Sequence, residues 1–154
     1  MASYNQLYLH CVWATWDRLP LISPEVEPRL YAALADKCQE LDCIPLAIGG
    51  ISDHVHVLVR FTPTIVIARL IGQIKGSSSH AMTHAIRPGT FFKWQGAYGA
   101  FTISKRSVPQ VRAYILNQKT HHAGQTIIAE LEDCTDADDT STEISHPSPR
   151  RRAS

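Results

Sequence analysis

Two runs of strand-forming residues, Ile44 to Ile51 and His54 to Arg60, are separated by only Ser52 and Asp53. So short a connection predicts an antiparallel hairpin, with the turn type left open by the flanking residues. Pro45 and the pair Gly49-Gly50 mark the first run as a strand that ends loosely. Side chains alternate along a strand, so His54 and His56 share one face while Val55, Val57 and Val59 share the other. Two imidazoles side by side on a rigid sheet form half of a small metal coordination shell. The same spacing also fits a half-exposed strand with two solvated histidines, so a metal site requires a third ligand from elsewhere in the chain.

Around the hairpin the pattern alternates between strands and helices. Tyr4 to Trp13 reads as a first strand, rich in Tyr, Leu, Val and Trp and free of Gly and Pro. Ser23-Pro24 offers a helix start, and Leu30, Leu34, Cys38 and Leu41 trace one apolar face to about Asp42. After the hairpin, Pro63-Thr64 opens a second helix with its buried stripe at Ile67, Leu70, Ile71 and Ile74. A bend is expected at Lys75-Gly76-Ser77-Ser78-Ser79, with a further helical piece to Ile86. Phe91-Phe92-Lys93-Trp94-Gln95 fits either core packing or a surface on which bases stack. Gly96 to Ser104 reads as a last strand, whose Gly99 points to a bulge or to a close backbone approach by a partner. Ser107-Val108-Pro109-Gln110 has the form of a capping box and predicts a helix to about His122, stopped before Gly124. Tyr114 and Gln118 lie one turn apart on it.

The 154 residues are the usual size of one domain with a substantial core. No apolar run is long enough to cross a bilayer and no signal peptide is evident, so the expected location is the cytoplasm. Cys11, Cys38, Cys43 and Cys134 form no Cys-x-x-Cys pair and read as reduced thiols. The net charge of +1 hides an asymmetry: residues 130–143 hold seven acids and no Lys or Arg, and residues 1–129 hold 12 Lys and Arg against 7 Asp and Glu. That balance suits a polyanionic partner. The expected division is a catalytic domain over 1–128 and, over 129–154, a disordered tail that is acidic and then Arg-rich.

The order strand, helix, strand, strand, helix, strand predicts an α+β fold, the ferredoxin-like βαββαβ sandwich, with an antiparallel sheet and a helix at its C-terminal end. The second hairpin strand would then lie inside the sheet. A final helix crossing that face would carry Tyr114 and Gln118 over the imidazoles, giving two nitrogens and an amide oxygen for a metal and a tyrosine beside it.

These residues resemble the HUH single-tyrosine transposases of the smallest insertion sequences, the insertion sequence 200/605-like group. The resemblance covers about residues 4–122 and rests on an ordered set of motifs. These are Val12-Trp13-Ala14-Thr15, Gly50-Ile51-Ser52-Asp53-His54-Val55-His56, Lys75-Gly76-Ser77-Ser78, Trp94-Gln95, Tyr98-Gly99-Ala100-Phe101 and Tyr114-Ile115-Leu116-Asn117-Gln118 with His121-His122. It implies metal-dependent nicking and rejoining of single-stranded DNA through a 5′-phosphotyrosine at Tyr114. His54, His56 and Gln118 would hold Mg²⁺ or Mn²⁺. It implies hairpins at element ends as partners, a homodimer, and action at the nucleoid of a prokaryotic cytoplasm. Lys75, Arg106, Arg112 and Lys119 are the expected contacts to the DNA backbone. The rival readings are a non-catalytic ferredoxin-like single-strand nucleic-acid binder, a metal-binding regulator and a host-repurposed hairpin nuclease. The acidic and then Arg-rich segment departs from the family, whose members often continue into a further helix.

Overall fold

The computed structural model describes residues 3–134. Strands β1 (Tyr8–Ala14), β2 (Ile44–Ile51), β3 (His54–Arg60) and β4 (Gly99–Ile103) form one sheet in the order β2-β3-β1-β4. Every neighbouring pair is antiparallel. This is the predicted ferredoxin-like α+β sandwich, and the limits of the β2–β3 hairpin are those read from the sequence. The register shifts between Pro45 and Ala47, where proline has no N–H to give the ladder. β1 is shorter than expected, beginning at Tyr8 rather than Tyr4.

One face of the sheet carries Leu9, Cys11, Trp13, Val55, Val57 and Val59, all buried. Helices α1 (Glu27–Glu40) and α2 (Ile67–Ala81) pack on that face through Leu30, Leu34, Cys38, Leu70, Ile71 and Ile74. The bend expected within 75–79 is absent; α2 runs on to Ala81 and passes into a π-helical turn, Met82–Ile86. The aromatic segment divides between its two readings. Phe92 and Trp94 join the core while Phe91 stays exposed, and the Trp94 indole donates to Ser78 Oγ at 3.0 Å. Among the described residues no helix is long and apolar enough to cross a membrane.

The other face presents His10, Val12 and Ala14 of β1 in register with Leu58, His56 and His54 of β3. Gly49 and Gly99 flank them on β2 and β4. Helix α3 (Val108–Leu116) lies across this face, burying Val111, Tyr114 and Ile115. A 3-10 turn, Lys105–Ser107, precedes it, and Ser104 rather than Ser107 supplies the capping oxygen. The helix expected to continue to His122 breaks at Asn117 (φ −106°, ψ 23°), and α4 (Gln118–Ala123) follows. The Asn117 amide donates to the Ala113 carbonyl at 2.8 Å, a local bond that competes with the helical ladder.

The expected end of the folded part at residue 128 is passed by the chain. Ala129–Glu132 forms a single-turn helix, α5, and Cys134 is buried beside Val12 and Ala14. Gly99 makes room for this segment: a Cβ there would stand 2.0 Å from the Asp133 carbonyl oxygen. The close backbone approach expected at Gly99 comes from the chain's own C-terminal segment. The remainder of the expected tail, residues 135–154, lies outside the described residues.

Gly49 lets α3 seat directly on β2, because a Cβ there would lie 2.1 Å from the Ile115 carbonyl oxygen. Gly49→Ala is therefore expected to destabilise the protein by about 1–3 kcal/mol through overpacking. Gly72→Ala, on the exposed side of α2 with no atom within 4 Å, should stabilise it by roughly 0.5–1 kcal/mol. Urea denaturation of the two variants against the parent checks both signs.

Candidate metal and tyrosine site

β3 is hydrogen-bonded on both sides, so its backbone fixes His54 and His56 where the sheet is stiffest. His54 is 2% and His56 0% exposed. The His54 ring is held at Nδ1 by Asp53 Oδ1 at 2.7 Å, leaving Nε2 facing Gln118 Oε1 and Glu132 Oε2, each at 3.2 Å. His56 Nε2 lies 3.0 Å from the same Glu132 oxygen, and its Nδ1 lies 2.8 Å from Nε2 of His10. The two imidazoles thus face one carboxylate oxygen.

The other oxygen of that carboxylate accepts the Tyr114 hydroxyl at 2.5 Å, and the Ile128 N–H donates to the same hydroxyl at 3.0 Å. The tyrosine ring lies against His121, with centroids 4.7 Å apart. Gln118, one turn further on and 1% exposed, donates to the Tyr114 carbonyl and receives His122 Nε2 at 3.1 Å from its Oε1. Four side chains singled out by the sequence, His54, His56, Tyr114 and Gln118, therefore stand together.

Burial alone would raise the Glu132 carboxyl, but hydrogen bonds from His54, His56 and Tyr114 outweigh it and hold it far below the usual carboxylate range. Burial likewise lowers His54, yet its bonds to Glu132 and Asp53 carry it above the ordinary histidine value. Burial wins at His56, which is lowered, and at His10, which is lowered to about 3. The Tyr114 phenol is raised, first by burial and then by its bond to the Glu132 carboxylate. At neutral pH this is a carboxylate anion between imidazoles, with the phenol protonated against it.

Glu132 and His10 were not legible as site residues. Glu132 sits in a run of acids whose composition reads as solvated chain, and the one hint was the apolar Ile127-Ile128 with Leu131 beside it. His10 is a polar residue inside the run Leu9-His10-Cys11-Val12; that interruption, on the face alternate to Leu9 and Cys11, was the available signal.

The four expected DNA contacts are not brought together. Lys75 is half-buried, its ammonium lowered by desolvation and bonded to the carbonyls of Gln95, Gly96 and Ala97 at 2.6, 3.2 and 3.5 Å. Arg112 donates to the Leu46 carbonyl at 3.0 Å. Lys119 pairs with Glu27 at 2.7 Å, and Arg106 is exposed in the turn before α3.

The ligand atoms of His54, His56 and Glu132 lie within 4.8 Å of one another, and the Gln118 oxygen adjoins them. Imidazole nitrogens with carboxylate and amide oxygens are a donor set that suits divalent ions of borderline to hard character. The donors fit a metal.

The ISDra2 transposase TnpA of Deinococcus radiodurans is 27% identical over 118 residues, spanning 73% of this chain and 84% of the relative. A crystal structure of a candidate transposase from Deinococcus radiodurans R1 is 28% identical with a TM-score of 0.62, over 77% of this chain and 95% of that one. The REP-associated tyrosine transposase, solved bound to a REP hairpin, shares the fold at a TM-score of 0.57 and 15% identity, over 79% and 74%. The sequence model of the family described as Transposase IS200 like matches residues 3–118, a span that holds the whole sheet, both β3 histidines, Tyr114 and Gln118, and the chain belongs to that family.

Proposed function

We propose that this protein nicks and rejoins single-stranded DNA through a 5′-phosphotyrosine at Tyr114, with Mg²⁺ or Mn²⁺ held by His54, His56, Gln118 and Glu132. The observation that carries the reading is the convergence on Glu132: one of its oxygens faces both imidazole Nε2 atoms and the other takes the Tyr114 hydroxyl. A nucleophile and a cation site that share one carboxylate are close enough to act on one phosphodiester.

The Tyr114 oxygen forms the bond to phosphorus as the bond to the 3′ oxygen of the preceding nucleotide breaks. Glu132, held far below the usual carboxylate range, is too weak a base to keep the phenol proton. That proton passes to solvent once the phosphate displaces the carboxylate, and the departing 3′ oxygen takes up a proton from solvent. Rejoining is the reverse, with a 3′ hydroxyl attacking the phosphotyrosine. A phosphodiester to tyrosine conserves the bond energy, so no nucleotide cofactor is needed. A bound divalent cation withdraws charge from the phosphate oxygens and favours the phenolate. A free tyrosine has a pKa near 10, so only about one in a thousand is phenolate at pH 7; the raised value at Tyr114 makes the resting nucleophile quieter still. Asp53 fixes the His54 ring so that Nε2 faces inward.

The proposed substrate is single-stranded DNA with hairpins at the element ends, by analogy with the hairpin-bound structure of similar fold. Arg106, exposed in the turn before α3, is the best placed of the four expected phosphate contacts. Arg112 and Lys119 are also exposed but donate to the Leu46 carbonyl and pair with Glu27, respectively, and Lys75 is half-buried against backbone carbonyls. Tyr114 and both imidazoles meet within one chain, and a homodimer is part of the proposal for pairing two DNA ends. The action proposed is transposition or hairpin processing at the nucleoid.

With Mn²⁺ and hairpin-bearing single-stranded oligonucleotides, the parent is expected to give a covalent adduct that survives denaturing electrophoresis. Tyr114→Phe and chelation by EDTA should each reduce it to background; an adduct that persisted in Tyr114→Phe would remove Tyr114 from its role. Glu132→Gln keeps the side chain's shape and removes its charge, and is expected to weaken Mn²⁺ binding at least about tenfold, roughly 1.4 kcal/mol. Isothermal titration of the full chain measures it, and unchanged affinity would mean that Glu132 is no ligand.

A further inference from the structure

We infer that His10 is a positioning residue: through its bond to His56 it sets which nitrogen of that ring is free for the cation. The inference rests on the metal reading of His54 and His56. His10 stands in β1 with Leu58 on one side and Phe101 on the other, and its ring is wholly buried. Its Nε2 lies 2.8 Å from His56 Nδ1, with the ring centroids 5.1 Å apart, and its Nδ1 has no partner among the described residues. A leucine would fill this volume between hydrocarbon neighbours and leave no orphan nitrogen. Packing alone therefore disfavours an imidazole here, and its one polar contact among the described residues goes to a proposed ligand.

The chemistry of that contact is specific. As described, His56 Nε2 faces a carboxylate, which only accepts; a neutral His56 then carries its proton on Nε2, and its Nδ1 accepts from His10 Nε2–H. A cation on His56 Nε2 requires the opposite tautomer, with the proton on Nδ1 donated to an unprotonated His10 Nε2. The pair holds two ring protons in both states: one on each Nε2 before, one on each Nδ1 after. No net charge changes, and the shared hydrogen bond survives with its direction reversed. A side chain that can only donate, or only accept, serves one of the two states. Neutral imidazole serves both, and a partner of this kind fixes the tautomer and orientation of a ligating ring.

The test is Mn²⁺ titration of the full chain, followed by the paramagnetic resonance of free Mn²⁺, with thermal unfolding in EDTA as the structural control. His10→Leu is expected to weaken Mn²⁺ binding about 10–100-fold without lowering the melting temperature in EDTA. His10→Gln, whose amide can turn to donate or accept, should return affinity to within about threefold of the parent. Parent-like affinity in His10→Leu, with His56→Ala still abolishing binding, overturns the role of His10 and leaves the metal reading standing. A parent that binds no Mn²⁺, or a His56→Ala protein that binds it equally, removes the metal reading itself. As a second measurement, ¹⁵N spectra of histidine-labelled, Mg²⁺-loaded parent should place the protons on Nδ1 of both His10 and His56. A proton on His10 Nε2 in that state overturns the inference whatever the variants do.

Discussion

The structure turns on a strand held from both sides. β3 is hydrogen-bonded to β2 on one side and to β1 on the other, and it is the strand that carries both histidines. Its opposite face, Val55, Val57 and Val59, is sealed by α1 and α2. Any displacement of the imidazoles would have to break two ladders and open the main core. A site whose ligands must hold fixed relative positions is best built on such a strand, and loops serve it less well.

Against this fixed pair the remaining site residues arrive on short, separately positioned pieces. Tyr114 comes on α3, which sits low on the sheet because Gly49 has no side chain to hold it off. Gln118 comes on α4 after the break at Asn117, and Glu132 on α5, a single turn at the end of the described chain. Glu132 is the most informative of them. It accepts from both imidazoles, keeps the Tyr114 phenol protonated and ties the C-terminal segment to the sheet face. With its carboxyl far below the ordinary range, it is held there as an anion throughout the neutral pH region. The proposed nucleophile is therefore at rest in the described state, and DNA entry must exchange the Tyr114–Glu132 hydrogen bond for contact with a phosphate.

Family membership accounts for residues 3–118, and the Glu132 contact lies beyond that span. The motif-bearing part supplies His54, His56, Tyr114 and Gln118, while the segment after it adds a carboxylate where the four meet. The acidic composition that argued for an unstructured tail also delivers the carboxylate that both histidines share. Composition describes the average of a segment, and a single residue in it found a strong electrostatic partner.

The β2–β3 hairpin, the sandwich topology and the pairing of His54 with His56 follow from local rules: period-2 alternation, a two-residue connection and the order of elements. The spacing of Tyr114 and Gln118 follows from helical geometry, although the break between them at Asn117 did not show. What only tertiary structure decided depends on contacts remote in sequence: Glu132 reaching His56 across 76 positions and His10 reaching it across 46. Local pattern fixes which face a side chain takes, because backbone geometry repeats every two or 3.6 residues. Which distant group meets it there is set by how the sheet stacks its strands and by where the chain's end comes to rest, and neither has a period to read.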